Sequence, residues 1–233
     1  MSLEKIWKRL LKQIIIDGHE HTKDDSPIRE IIGVHEFVPA PSMPGIRLTP
    51  EFYLVLVKQG AFDIPDSVLK NEPLHDYVSS FDDQYMIDGG DFVYTYPERL
   101  QNYETVDLFG EITTANQYEL MVYRLQENAG SNRAVAITIN PGRDGVAEDI
   151  PCLQFVQALI RDNKLTLTII FRSNDAYGAW PSNMMFIHYI GISLVEELRK
   201  TYPTLEYAGI YYNCSSLHIY ETDMDAAKKV VGL

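Results

Sequence analysis

The segment D-I-P-C-L-Q-F, residues 149–155, sets a cysteine directly behind a proline and directly ahead of an apolar run. Cys152 reads in two ways there. A lone thiol is most often a buried strand residue, but an accessible thiolate is a strong nucleophile. The polar residues that follow bear on the choice. The run L-T-L-T-I-I-F-R, 165–172, predicts a strand ending at Arg172, with Ser173, Asn174 and Asp175 directly after it. A-W-P-S-N then sets Asn183 at the beginning of a helix. S-L-H-I-Y-E sets His218 and Tyr220 two apart, so both point to one side of a strand. Arg133 adds a second cation upstream. A thiol, two arginines, a serine, an amide and a His/Tyr pair together suit a phosphorylated nucleoside. Cations suit phosphate, hydroxyl-seeking groups suit sugar, and the amide suits a base edge.

Each residue also has a plainer reading. Arg133 fits a surface strand arginine in a salt bridge, and His218 and Tyr220 fit inward-facing strand residues. Asn183 fits a helix N-terminal asparagine, and Asp175 fits a cap for the turn after Arg172. Cys214 reads as structural, and Asn174 has no assigned role.

The elements that must position these residues follow from periodicity. Leu3, Ile6, Trp7, Leu10, Leu11 and Ile14 form one helix face that ends at Asp17-Gly18. A polar loop, H-E-H-T-K-D-D-S-P, leads to a strand in I-R-E-I-I-G-V-H-E-F-V. P-A-P-S-M-P-G is a turn-rich connection, and residues 51–80 read as mostly helical. T-T-A-N-Q-Y-E-L-M-V-Y-R-L-Q predicts a helix capped by Thr113 or Thr114. R-A-V-A-I-T-I-N-P-G-R-D-G is a strand ending in a turn. Runs 152–161 and 165–172 form a hairpin, 181–200 a long apolar helix, and E-Y-A-G-I-Y-Y-N-C-S-S-L-H-I-Y-E a strand. Strands mixed with helices at both ends give an α+β fold of mixed layers.

Bulk properties narrow the class. A chain of 233 residues, 45% hydrophobic and 23% charged, suits one large globular domain over 1–233. No apolar run spans a membrane, and the basic and apolar residues at the start interleave rather than forming a signal peptide. Two cysteines are too few for a disulfide framework, so a cytoplasmic setting is expected. A net charge of −13 argues against general nucleic-acid binding. The histidines lack the spacing of a metal site.

Residues 131–220 resemble the thymidylate synthases and their relatives, the pyrimidine-nucleotide hydroxymethylases. S-N-R (131–133), D-I-P-C-L (149–153), F-R-S-N-D (171–175), A-W-P-S-N (179–183) and H-I-Y (218–220) follow the order and spacing of that family's motifs. V-Y-T-Y-P-E-R-L matches another of its segments more loosely. The resemblance implies a large mixed β-sheet flanked by helices, and conversion of dUMP to dTMP. The one-carbon donor would be 5,10-methylenetetrahydrofolate or a modified, methanopterin-type methylene-pterin, since short relatives occur in methanogenic archaea. Cys152 would add to C6 of the pyrimidine, with Arg172 favouring the thiolate and meeting phosphate. Arg133 and Ser173 would bind phosphate, Arg133 reaching across a homodimer. His218 and Tyr220 would hold the sugar 3′-hydroxyl, Asn183 would read uracil, and Asp175 would contact the pterin. A 5-hydroxymethylase on dUMP, dCMP or CMP is the alternative, as is a nucleotide-binding homologue without turnover.

Three departures from the family stand out. Its loop arginine falls near T-K-D-D-S, where Lys23 or Arg29 is the substitute. Asn132 replaces one arginine of a pair. The chain ends 13 residues after Tyr220, so closure over a folate is expected to differ. The family's proton-relay glutamate has only Glu72 and Glu98 as candidates by type.

Overall fold

A computed structural model of the chain describes residues 3–41, 94–106, 109–147 and 149–233. The helical reading of 51–80, Glu72 and the latter part of the proline-rich turn lie outside the described residues. The first amphipathic segment forms α1 (Leu3–Asp17), which buries Ile6, Trp7, Leu10, Leu11, Ile14 and Ile15. A fully buried side chain of this kind contributes about 1.5–3 kcal/mol by leaving water. Trp7 also donates from Nε1 to the Ala176 carbonyl at 2.6 Å. That bond ties the helix to the chain just beyond the predicted Arg172 region.

The segment read as a polar loop is a hairpin. β1 (His19–Lys23) pairs antiparallel with β2 (Ser26–Pro39), joined by Asp24 and Asp25 at φ 48° and 62°. Two consecutive left-handed residues match the twist of the flanking strands. The strand escapes a hydrophobicity reading because it is a sheet edge, its first four residues all exposed and polar.

β5 (Val135–Ile137), β6 (Leu153–Arg161), β7 (Lys164–Asp175) and β8 (Glu206–Tyr220) complete a six-stranded sheet of order β1-β2-β8-β7-β6-β5. All pairings are antiparallel except β7 with β8. The predicted 152–172 hairpin is there, turning at Asp162 and Asn163 with φ 49° and 60°. Its second strand does not stop at Arg172. It runs on through Asp175 because Ser173, Asn174 and Asp175 still pair with Ser216, Leu217 and His218 of β8. Gly209, at φ 137°, follows a bulge in β8 where the backbone of Val38 to Ala40 comes so close that a Cβ would collide with it.

One sheet face packs under α1 and α5 (Trp180–Leu198), with Leu167, Ile169, Phe171, Ile210 and Tyr212 buried beneath them. The other face bears Phe37, Val135, Ile137, Ile170 and Tyr211, all exposed. The Phe37 and Tyr211 rings lie 5.0 Å apart there.

Shorter elements frame one end of the sheet. α2 (Tyr96–Gln101) begins with a capping box of Thr95 and Glu98, and is followed by β3 (Tyr103–Val106) and β4 (Ile112–Ala115). α3 (Gln117–Glu127) is capped by Asn116 through its bond to the Glu119 amide at 3.1 Å. Thr113 and Thr114, the predicted caps, sit instead in β4, paired with Thr105 and Glu104. α4 (Pro141–Asp144) and α6 (Met224–Val231) complete the described α-helices. None of these is long and apolar enough to cross a membrane.

Candidate active site

β7 and β8 run parallel, and a ligand crevice commonly forms beyond the carboxyl ends of parallel strands. Several other segments converge there. The antiparallel partners bring the start of β6 beside the end of β7, and the start of β2 beside the end of β8. The hairpin turn adds Lys23. A cavity of about 810 Å³ opens at this end, walled by Cys152, Arg172, Ser173, Asn174, Asp175, Asn183, His218, Tyr220 and Lys23 among others. Such a volume lies within the range of enclosed small-molecule sites, about 300–1,000 Å³.

Cys152 precedes β6 and is half-buried on the cavity wall. Its thiol is held above its ordinary pKa, chiefly by burial and secondarily by Asp149. Arg172, Lys23 and a hydrogen bond from Tyr94 pull the other way. The Arg172 charge favours the thiolate, yet desolvation outweighs it and the resting group is a thiol. The guanidinium has a further task. Its Nη2 donates to the Ile150 carbonyl at 2.6 Å and its Nε to that of Pro151 at 3.2 Å. The Arg172 amide also donates to the Cys152 carbonyl at 2.9 Å. One arginine therefore fastens the segment carrying the cysteine.

His218 and Tyr220 stand edge to face, 5.1 Å between ring centres. Lys23 Nζ lies 3.0 Å from the Tyr220 hydroxyl and 3.4 Å from His218 Nε2. Burial, with Lys23 beside it, lowers the His218 pKa to about 4, so the ring is neutral at physiological pH. An ammonium only donates, so Nε2 accepts and the ring proton sits on Nδ1, which is 3.4 Å from Ser173 Oγ. Of the two substitutes for the family's loop arginine, Lys23 reaches the cavity. Arg29 is turned to the Ile15 carbonyl and Glu20 instead.

Asn183 lies inside the first turn of α5, its amide bonded to the Ala179 carbonyl at 2.9 Å. The N-cap position is Ala179, and Asn183 Nδ2 donates to Asn174 Oδ1 at 2.9 Å. Asp175 does hold the following turn, accepting from the Tyr177 amide at 2.9 Å, and still faces the cavity. Arg133 is exposed and lies outside the cavity lining of its own chain. Cys214 is buried, and its Sγ donates to the Ser216 carbonyl at 3.2 Å. Glu98 caps α2 and pairs with Arg143 at 2.8 Å.

Tyr94 was not among the expected residues. Its hydroxyl lies against the Cys152 thiol and 3.3 Å from the Ile150 carbonyl, and burial raises its pKa. The T-Y-P-E capping box directly after it was the available signal, since it fixes where α2 starts and so places Tyr94 at the helix entrance. Asp144 of α4 also reaches the wall. It is bound bidentately by buried Arg99 at 2.6 and 3.3 Å, which joins α4 to α2 behind the cavity.

The family model of thymidylate synthase matches residues 67–232. The chain belongs to the thymidylate synthase family. A relative of Methanothermobacter thermautotrophicus, named "Putative thymidylate synthase", is 28% identical over 230 residues, covering 97% of this chain and 93% of its own. Proteins of the same name from Methanocaldococcus jannaschii and Methanococcoides burtonii are similar over shorter stretches. The first is 39% identical over 144 residues (59% of this chain, 60% of its own). The second is 32% identical over 173 residues (72% and 71%). The family match takes in the cavity wall from Tyr94 to Tyr220; Lys23 lies outside it.

Burial raises the Asp175 pKa to about 6, against an ordinary value of 3.8. A raised carboxyl pKa means the folded state binds more protons than the unfolded between those values. Its stability is therefore fully present below about pH 4 and is lost as pH rises through about 6. Asp175→Asn keeps the acceptor for Tyr177 and removes the buried charge. It should raise unfolding free energy at pH 7 by about 1–3 kcal/mol and leave it nearly unchanged at pH 4. Denaturant melts at the two pH values check this; equal shifts at both would refute it.

Proposed function

We propose that this protein methylates C5 of dUMP to give dTMP, with Cys152 as the nucleophile and a methylene-tetrahydropterin as one-carbon donor. The observation that supports this most is the position of the thiol. It opens onto one cavity together with an amide suited to a base edge and a His/Tyr/Lys cluster suited to a sugar. The sulfur bonds to C6, and the electron pair of the C5–C6 double bond moves toward C4–O4, leaving C5 nucleophilic. An Asn183 N–H meets the charge developing on O4, while its carbonyl accepts from N3–H. Once C5 has gained its substituent and lost its proton, the carbon–sulfur bond breaks and the thiolate is regenerated. A bound methylene-pterin supplies the carbon and, for a methyl product, the hydride. The Asp175 carboxyl on the cavity wall offers acceptors for a pterin's amino edge.

Because burial favours the neutral thiol, the sulfur gives up its proton to water in the cavity as it bonds to C6, with Arg172 and Lys23 favouring the anionic form. Phosphate falls to Ser173 and Arg172, with Arg133 of a second copy completing the grip. The apolar face with Phe37, Ile170 and Tyr211 is the surface that supports a homodimer.

The test is incubation with 5-fluoro-dUMP and either methylene-tetrahydrofolate or methylene-tetrahydromethanopterin, followed by mass spectrometry. A stable adduct on the peptide containing Cys152 is expected; absence of adduct with both carriers would overturn the proposal. With dUMP itself the product should be dTMP, and 5-hydroxymethyl-dUMP would reassign the reaction to water capture.

A further inference from the structure

Asparagine is a poor discriminator by itself. Its amide is nearly symmetric in shape, and turning it end for end exchanges a donor for an acceptor. Uracil presents a donor at N3 and an acceptor at C4, whereas cytosine presents the reverse. An Asn183 able to turn would read both bases. Something must fix which end is which.

The structure contains a directed chain of hydrogen bonds that does so. It starts at the backbone carbonyl of Ser216, a group that only accepts. Cys214 donates its S–H to that carbonyl at 3.2 Å. Burial pushes this thiol up to about 11, so its proton is in place at neutral pH. With its proton committed, the sulfur has only lone pairs to offer the Tyr212 hydroxyl, its neighbour two residues back on the same face of β8. With the phenol proton committed in turn, the Tyr212 oxygen accepts from Asn174 Nδ2 at 3.2 Å. The nitrogen end of Asn174 therefore faces Tyr212 and its oxygen faces Asn183, whose Nδ2 donates to it at 2.9 Å. A turned Asn183 would set two carbonyl oxygens against each other at that distance. Every link is buried: Tyr212 is wholly enclosed, wedged between Phe171 and Trp180 at 5.8 and 6.2 Å, and Asn174 is 2% exposed. Around Tyr212, water does not offer an alternative partner.

We infer that Asn174, oriented through Tyr212 and Cys214 by the Ser216 carbonyl, is a positioning residue that locks the Asn183 amide in one sense and so makes the site read one pyrimidine and reject the other. This rests on the proposed function for the statement that the base edge meets Asn183 and that the favoured base is uracil. The lock itself rests on the bonds alone. It also gives Cys214 a task unrelated to nucleophilic chemistry.

The experiment measures dissociation constants of dUMP and dCMP by calorimetry for the native protein, Asn174→Leu and Tyr212→Phe. Tritium release from the two C5-labelled nucleotides is measured alongside. Leucine matches asparagine in size but accepts no hydrogen bond. Phenylalanine leaves Asn174 in place while freeing it to turn. The native protein should prefer dUMP, and each variant should bring the dCMP/dUMP ratio of constants about tenfold or more toward parity. A merely structural role would weaken both nucleotides together and leave the ratio unmoved, which overturns the inference. Native binding without discrimination overturns it as well. A native preference for dCMP that both variants abolish upholds the lock and overturns the uracil assignment. Native protein that binds neither nucleotide overturns the proposed function, and this inference with it. Should Asn174→Leu fail to fold, Tyr212→Phe alone decides, because it deletes a single oxygen.

Discussion

Cys152→Ser is expected to lower tritium release from C5-labelled dUMP by about four orders of magnitude or more, while dUMP binding stays within a few-fold of native. The two side chains differ little in size, so the half-buried wall at this position is undisturbed. What changes is acidity. A serine hydroxyl does not ionise under conditions where a thiol does, and among the described residues none against Cys152 is a strong base: Tyr94 stays protonated and Arg172 only donates. The native protein should also show the thiol in its pH profile. Because burial holds Cys152 above the ordinary range, kcat/KM should still be rising where an unperturbed cysteine, at about 8.5, has begun to level off. Appreciable turnover by the serine variant, or a profile already flat near neutrality, would rule out the covalent route.

The second large effect is expected at Arg172. Removing its side chain deletes two charge-assisted bonds to the carbonyls of Ile150 and Pro151. Each is worth about 1.5–3 kcal/mol when fully effective. The guanidinium is one-third exposed (34%), so the lower end applies. Together with the lost charge near the thiol, Arg172→Ala should reduce kcat/KM by about a thousandfold. Arg172→Lys separates the two contributions. It keeps a cation but not the planar fork that reaches two carbonyls at once. Because fastening the cysteine segment needs that fork, the lysine variant should recover less than a tenth of the native rate. Steady-state kinetics on both variants checks this, and near-native rates for lysine would assign the residue to charge alone.

Much of the site was legible because its residues sit in contiguous strings on strong elements. Arg172 to Asp175 and His218 to Tyr220 end strands with clear β-branched and aromatic patterns, and Asn183 begins a long apolar helix. Cys152 is carried by the hairpin whose two runs were plain in the sequence. What escaped did so for identifiable reasons. β1 is polar throughout, so the convergence of Lys23 on His218 is set by strand pairing, which no local pattern reports. β7 continues to Asp175 because β8 lies beside it, and parallel neighbours are invisible to periodicity. Thr113 and Thr114 were plausible caps until pairing with β3 claimed them and left Asn116 to start the helix. Asn174 had no reading because its meaning lies in Tyr212, 38 positions away. The opposing pulls on the Cys152 proton depend on how much water reaches the sulfur, a property of the assembled wall.

β8 lies between β2 and β7, and this has a consequence for how the molecule forms during translation. The hairpin of β1 with β2 and the meander of β5, β6 and β7 emerge from the ribosome first, as two fragments with no described strand joining them. Each then carries an unpaired edge, β2 on one and β7 on the other, both long and partly apolar. Only when residues 206–220 are released does a keystone slide between them and bring Lys23 and His218 to the same rim as Cys152. Nascent chains stalled before that point should be the aggregation-prone species, and the cavity is among the last features to come into being.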